Sequence, residues 1–345
     1  MPTPTIPDGK LFMNATLYTG NGSTNVITNG ATGQSFQPDF VWTKMRSGAS
    51  THLLFDSIRG IYNYLISATT DAEASLNTTL TSFDSNGFSV GSNSTINNNT
   101  STNVAWQWKA GGAAVSNTQG TITSSVSANT TSGFSIVTYT GTGSAATVGH
   151  GLGVAPSWII VKRRNSGPSS WTVWHTNFSS IEYIYLNLTN AVSSSAGSTV
   201  WNSTLPSSSV ISLGTYTDVN ASGGTYVAYC WAPIAGYSAF GSYTGNGSTD
   251  GTFVYTGFRP KYLLTRRTDS AAGWIILDSA RSPYNVAQNI LETQSSSADT
   301  GSTYNVVDFL SNGFKFRIAG DPNTSGASNI YMAFAENPFK YANAR

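Results

Sequence analysis

Charge is what this sequence has least of. Only 10% of its 345 residues are Asp, Glu, Lys or Arg, against about 25% in ordinary soluble proteins. The formal net charge is +1, so no electrostatic field draws the chain to nucleic acid or to an anionic membrane. Near-neutrality also leaves little self-repulsion, which suits an assembled particle. A single cysteine, Cys230, stands in the apolar run VAYCWAP. That excludes a disulfide framework, and the run lacks the positive, part-exposed setting that activates a thiol. Cys230 reads as a buried core residue. The three histidines, His52, His150 and His175, sit in unrelated contexts, too scattered for a recognisable metal site. No tight acidic loop ending in glutamate suggests calcium. No cofactor is expected. No apolar run approaches the ~20 residues that span a bilayer, so no membrane insertion is expected. The opening MPTPTIPDGK carries prolines and no hydrophobic segment, so no secretory signal is expected either. The N-x-S/T triplets at Asn14, Asn21, Asn77, Asn129 and Asn246 then follow from sheer abundance of Ser, Thr and Asn. No apolar periodicity marks a helix of about ten residues or more.

What is present instead is Thr, Ser, Asn and Gly for the polar surface, and aromatics at 12%, with nine Trp and seventeen Tyr. A disordered polar chain would lack those aromatics. The chain is folded and β-rich. Its plan is a threefold internal repeat, clearest at 242–268, SYTGNGSTDGTFVYTGFRPKYLLTRRT. The same order of strand, glycine turn, strand, proline break and basic-ended strand occurs at 16–46 and 138–164. The YTG tyrosines, Tyr18, Tyr139 and Tyr243, are spaced by 121 and 104 residues. The prolines before the next strand, Pro38, Pro156 and Pro260, are spaced by 118 and 104. Two landmarks moving together establish the repeat.

The expected organisation is an extended N-terminal arm over 1–13, where three prolines forbid helix and sheet interior. Three antiparallel β-sandwich domains follow in tandem, over 14–112, 133–236 and 237–345, with a linker at 113–132. Each domain is expected to bury a core of its own. The turn Gly20-Asn21-Gly22 reads as a tight hairpin turn, TDAEASL (70–76) as a helical turn, and FDSNGFSVG (83–91) as a hairpin. In NVAWQWKAGG, Val104, Trp106 and Trp108 alternate with Ala105, Gln107 and Lys109, the pattern of a half-buried strand. Val227, Tyr229 and Trp231 repeat it.

Each candidate for chemistry has a plainer reading. GHGLG at 149–153 lies between strands and lacks the GK[ST] ending of a phosphate loop, so it reads as a loop needing positive φ. Asp56 and Asp278 occupy equivalent positions, followed by Arg59 and Arg281; the middle repeat has His175 there and no arginine. As paired carboxylates they would suit glycoside cleavage, but a pair that vanishes in one repeat reads as a structural salt bridge. Lys162-Arg163-Arg164 and Arg266-Arg267 would suit an acidic sugar or a neighbouring subunit, or form solvated strand ends. Trp171 and Trp174, three apart on a strand, face opposite ways, one to the core and one to solvent as a sugar platform.

The phrases GFSIVTYTGTG, TVGHGLGVAPSWIIVKRR, YVAYCWAP, SAFGSYTGNGSTDGTFVYTGFRP and DSARSPYN resemble a repeated domain of tailed bacteriophages, chiefly those of marine and aquatic bacteria. The resemblance runs from LFMNATLYTGNGS to the last repeat. It implies a virion structural or tail-fibre protein, assembled in the host cytoplasm, and transfers no catalytic residue. The expectation is a non-enzymatic surface protein, a tail-fibre or receptor-binding component contacting host glycans. A capsid-decorating or head-fibre protein is the alternative, and a polysaccharide depolymerase a third reading. The arm would attach to other virion proteins. A homo-oligomer, guessed as a trimer, follows only by analogy with fibres.

Overall fold

The alternating apolar runs of each repeat form strands, and the three repeats form them in one order. The computed structural model describes residues 6, 8–30, 34–301 and 305–337. Within these the protein is all-β and sandwich-like, with antiparallel sheets. Its α-helices there are single turns at Ser94–Asn97, Gly197–Val200 and Thr217–Asn220.

Repeat 1 contributes β1 (Met13–Thr19), β2 (Asn25–Thr28), β3 (Phe40–Met45), β4 (Leu53–Asp56), β5 (Asn63–Ile66), β6 (Ala74–Ser75), β7 (Leu80–Asp84), β8 (Gly87–Val90) and β9 (Thr102–Trp108). Its large sheet runs β1-β9-β3-β4-β5-β6 and its small sheet β2-β8-β7. Next come β10 (Val115–Asn117), β11 (Ser124–Asn129), β12 (Phe134–Thr140), β13 (Ala146–Gly149), β14 (Trp158–Arg163), β15 (Thr172–His175), β16 (Ile184–Tyr185), β17 (Val210–Leu213) and β18 (Thr225–Trp231). Here the sheets run β10-β11-β12-β18-β14-β15-β16 and β13-β17. Repeat 3 supplies β19 (Ser238–Thr244), β20 (Phe253–Tyr255), β21 (Pro260–Arg267), β22 (Ile275–Asp278), β23 (Leu291–Glu292), β24 (Val307–Leu310), β25 (Gly313–Phe316) and β26 (Ser328–Ala335). Its sheets run β19-β26-β21-β22-β23 and β20-β25-β24. In every repeat the closing strand inserts beside the opening one.

Several expectations are corrected. Residues 113–132 are no plain linker, because β10 and β11 extend the sheet of repeat 2 along β12. Of the expected arm, residues 1–5 and 7 lie outside the described residues; Ile6 is buried in the core and Gly9–Leu11 form a 3-10 turn capped by Asp8. Residues 70–76 form no helical turn, since Ala74–Ser75 pairs with β5. The turn Gly20-Asn21-Gly22 is not a hairpin, for β1 pairs with β9 and β2 with β8. It is an arch between two sheets, held by a side chain far along the chain. Buried Asn97 accepts from the Asn21 N–H at 3.0 Å and donates to the Ser23 and Gly91 carbonyls. Asn220 and Asn323 do the same for the other two arches. The YTG tyrosines lock each arch. Tyr18, Tyr139 and Tyr243 donate to the carbonyls of Ile96, Val219 and Pro322, the residues just before those asparagines, at 2.7, 2.7 and 3.0 Å. Gly20 has no alternative, as a Cβ there would lie 2.1 Å from the Asn98 carbonyl.

β9 is buried on both faces, not one. Ala105 packs with Ile27, Phe55 and Phe88 between the two sheets of repeat 1. On the other face, Val104, Trp106 and Trp108 join a cluster that runs through all three repeats and includes Trp158, Tyr229, Trp231, Tyr262 and Phe334. The units are therefore no string of separate sandwiches. Aromatic contacts close in a cycle: Phe40 to Tyr229 at 4.4 Å, Trp158 to Trp274 at 5.6 Å and Trp108 to Tyr262 at 5.4 Å. Each such pair contributes about 0.5–1.5 kcal/mol beyond its area.

Candidate functional site

The repeats meet at three junctions, and the same five positions recur at each. A backbone bond sets the register. Glu73 N–H donates to the Arg164 carbonyl at 2.8 Å, Asp299 N–H to Arg46 at 2.9 Å, and Val192 N–H to Thr268 at 2.8 Å.

Between repeats 1 and 2, Arg59 Nε donates to Asp56 Oδ2 at 2.5 Å and its Nη1 to Glu73 at 2.9 Å. Glu73 also takes Arg164 at 2.8 Å, and Tyr229 of repeat 2 donates its hydroxyl to Asp56 Oδ2 at 2.7 Å. Between repeats 3 and 1 the arrangement is reproduced. Arg281 joins Asp278 at 2.6 Å and Asp299 at 2.8 Å, and Arg46 joins Asp299 at 2.9 Å. Trp106 Nε1 donates to Asp278 Oδ2 at 3.0 Å. The Asp–Arg ties read from the sequence are thus the inner halves of two larger networks. Side chains of Asp56, Arg59, Asp278 and Arg281 have no exposure, a poor setting for carboxylates that must reach a substrate.

The junction of repeats 2 and 3 is different. The position of Trp106 and Tyr229 is held there by Met332, whose thioether has no proton to give. A buried carboxylate at 175 would lack that donor, and His175 stands instead. Burial pushes its imidazole down to about 3, only partly opposed by the Tyr331 carbonyl. It is a neutral ring, packed edge-on against Phe178 at 5.8 Å. Phe178, Val192 and Thr268 replace the arginine, acid and second arginine. Where long charged side chains fill the other junctions, these short or apolar ones leave a cleft of about 630 Å³. Its wall carries Ser242, Thr244, Ser328, Asn329 and Asn177, with Phe178, Val192 and Tyr243 as its apolar part. Two carboxylates also line it, and both are engaged. Asp269 pairs with Arg267 at 2.7 Å, and Glu182 accepts from the Ser179 N–H at 2.7 Å. Hydroxyl and amide groups around an apolar patch bind a neutral, hydroxyl-bearing ligand better than an ion.

The other candidates are placed as follows. Lys162 and Arg266 are buried, neither solvated nor open to an acidic sugar. Lys162 donates to the Ser169 carbonyl; Arg266 of repeat 3 donates to the carbonyls of Tyr185, Leu188 and Asn190 in repeat 2. Lys44 at the same position reaches Ser296 of repeat 3 at 3.2 Å. Arg266 and Lys44 thus tie neighbouring repeats together, while Lys162 stays within repeat 2. Trp171 and Trp174 are both buried, so neither is a sugar platform. Trp171 Nε1 donates to Ile66 of repeat 1 at 2.9 Å, and Trp274 Nε1 to Tyr185 of repeat 2 at 2.8 Å. In the GHGLG loop Gly151 and Gly153 adopt φ of 73° and 74°, and His150 is buried against the Ser207 carbonyl. Among the described residues no three His, Cys, Asp or Glu side chains group as a metal site. Nor is any helix there long and apolar enough to cross a membrane.

The cleft is invisible to motif reading, since it is made by residues that are missing. Its one signal was His175 standing where Asp56 and Asp278 stand in the other repeats. No curated protein matches the chain. A family described as a domain of unknown function, DUF7483, matches residues 8–338. Because that match takes in all three repeats and every junction between them, the chain belongs to the DUF7483 family.

Proposed function

We propose that the protein is a surface component of a tailed-phage virion, a tail-fibre or receptor-binding protein that takes host envelope glycans into the cleft between repeats 2 and 3. The observation that carries the reading is the cleft itself. It is lined mainly by hydroxyl and amide groups, and its junction alone of the three lacks the network of an Asp–Arg pair joined to a second acid and a second arginine. A sugar presents the matching chemistry, with hydroxyls for Ser, Thr and Asn and an apolar ring face for Phe178 and Val192. The resemblance to phage structural domains supports the setting. No catalysis is assigned. The test is binding of purified host surface polysaccharide to the intact chain by calorimetry. Ser242→Trp, an exposed position in the cleft wall, should weaken binding at least about tenfold with the fold unchanged. No binding, or equal binding by that variant, overturns the reading. New reducing ends during incubation would make the protein a depolymerase instead.

Capsid decoration is the second reading, and the closed packing of the repeats favours it. Trp108 contacts both Trp231 and Phe334, at 6.1 and 5.7 Å, so the three units gather round one core and make no extended shaft. Immunogold labelling of intact particles separates the two readings by label over tail or head.

A further inference from the structure

Repeat 2 departs from its neighbours in a second way. Its opening strand β12 is not a sheet edge, because β11 pairs along it from Phe134↔Asn129 to Thr138↔Ser125. The same segment reaches the small sheet. Ile122 N–H donates to the Thr147 carbonyl at 2.9 Å, Thr147 N–H to Thr121 Oγ1 at 2.8 Å, and Ser124 Oγ to the Gly149 carbonyl at 3.0 Å. Residues 115–129 thus fill a slot between the edges of the two sheets. Their sequence, VSNTQGTITSSVSAN, carries no charge.

Among the described residues, repeat 1 has the slot without the filler. β1 and β2 hold the places of β12 and β13, with Tyr18 for Tyr139 and Ile27 for Val148. Among the described residues no strand lies on the outer edge of β1. A groove of about 450 Å³ runs there, walled by residues of both strands and flanked by Lys261. Leu17 and Val26 stand in it at 41% and 63% exposure. Their counterparts under the filler of repeat 2 are threonines, Thr138 and Thr147. Open edges are ordinarily blunted by lysine or proline on the strand itself; this one carries Leu and Val. An unpaired strand edge flanked by apolar side chains is how a sheet receives an added strand.

We propose that the groove between β1 and β2 takes an extended, uncharged, Ser/Thr-rich strand with interspersed β-branched residues from another protein, as repeat 2 takes residues 115–129 from its own chain. The probe is a synthetic peptide of residues 113–130, fluorescently labelled and titrated with the full chain. Saturable binding is expected, at least about tenfold weaker in Leu17→Lys/Val26→Lys, both of whose sites are exposed. Unchanged circular dichroism and Tm show that this variant is folded. A scrambled peptide should not compete. No saturable binding overturns the proposal. Binding equal in the double variant also overturns it, since the peptide would then have displaced the native strand of repeat 2. Sedimentation showing self-association that the double variant abolishes would overturn the foreign partner and make the occupant a second copy.

Discussion

Removing the cation from a junction network should cost more than removing the whole pair. Arg281 and Asp278 have side chains with no exposure. Asp278 accepts from Arg281 Nε at 2.6 Å, from the Arg281 N–H at 2.8 Å and from Trp106 Nε1 at 3.0 Å. Arg281→Leu strips away the only full positive charge among these donors and leaves the carboxylate buried. Breaking a buried pair in that way costs about 3–5 kcal/mol. At roughly 2 °C per kcal/mol for a large chain, Tm falls by about 6–10 °C. In Arg281→Leu/Asp278→Leu no charge is stranded there, and Asp299 keeps Arg46 at 2.9 Å. What remains is an orphaned Trp106 N–H and an orphaned main-chain N–H at residue 281, at about 1–3 kcal/mol each, whereas apolar side chains in place of a buried ion pair are often neutral or stabilising. The double variant should therefore be more stable than Arg281→Leu alone. Arg281→Lys should fall between wild type and Arg281→Leu, since a lysine keeps the charge but cannot serve Asp278 and Asp299 as a fork. Thermal unfolding at pH 7 and fixed salt, followed by tryptophan fluorescence and circular dichroism, gives the comparison. A double variant at or beyond the sum of the two single losses would refute the buried-pair account.

Acid should destabilise the protein through His175. Below about 6.5 the unfolded chain takes up a proton that the folded chain refuses down to about 3. Stability held above pH 6.5 is lost as pH falls through that window, at up to about 1.4 kcal/mol per unit. His175→Gln should make the decline of Tm between pH 6.5 and 4 shallower; an identical slope would exclude this source. Burial pushes the Cys230 thiol up to about 12, so the native protein should resist maleimide at neutral pH and react only on unfolding, and prompt labelling of folded protein would contradict that. Residues 133–236 expressed alone should aggregate or bind hydrophobic dyes, since excision bares Trp158, Tyr229 and Trp231. A monomeric fragment with cooperative unfolding would show that the shared core is dispensable.

The sequence by itself determined the strands, the threefold repeat and the Asp–Arg ties, because alternation, glycine and proline placement and i,i+3 spacing are local properties. It could not tell a hairpin from an arch at Gly20-Asn21-Gly22. Positive φ at Gly22 serves either, and the deciding Asn97 is 76 residues away. Gln107 reads as solvent-facing, yet it is buried with Thr16 and Asn29 as partners at 2.9 and 3.1 Å. Glu73, Arg46, Arg164 and Asp299 carry no motif, as their partners come from other repeats. Only the tertiary structure decided that the tryptophan faces turn inward on one another, and that a cleft opens at the one junction without an Asp–Arg network. The first depends on three surfaces meeting, the second on side chains that are absent, and neither is written in any short stretch of chain.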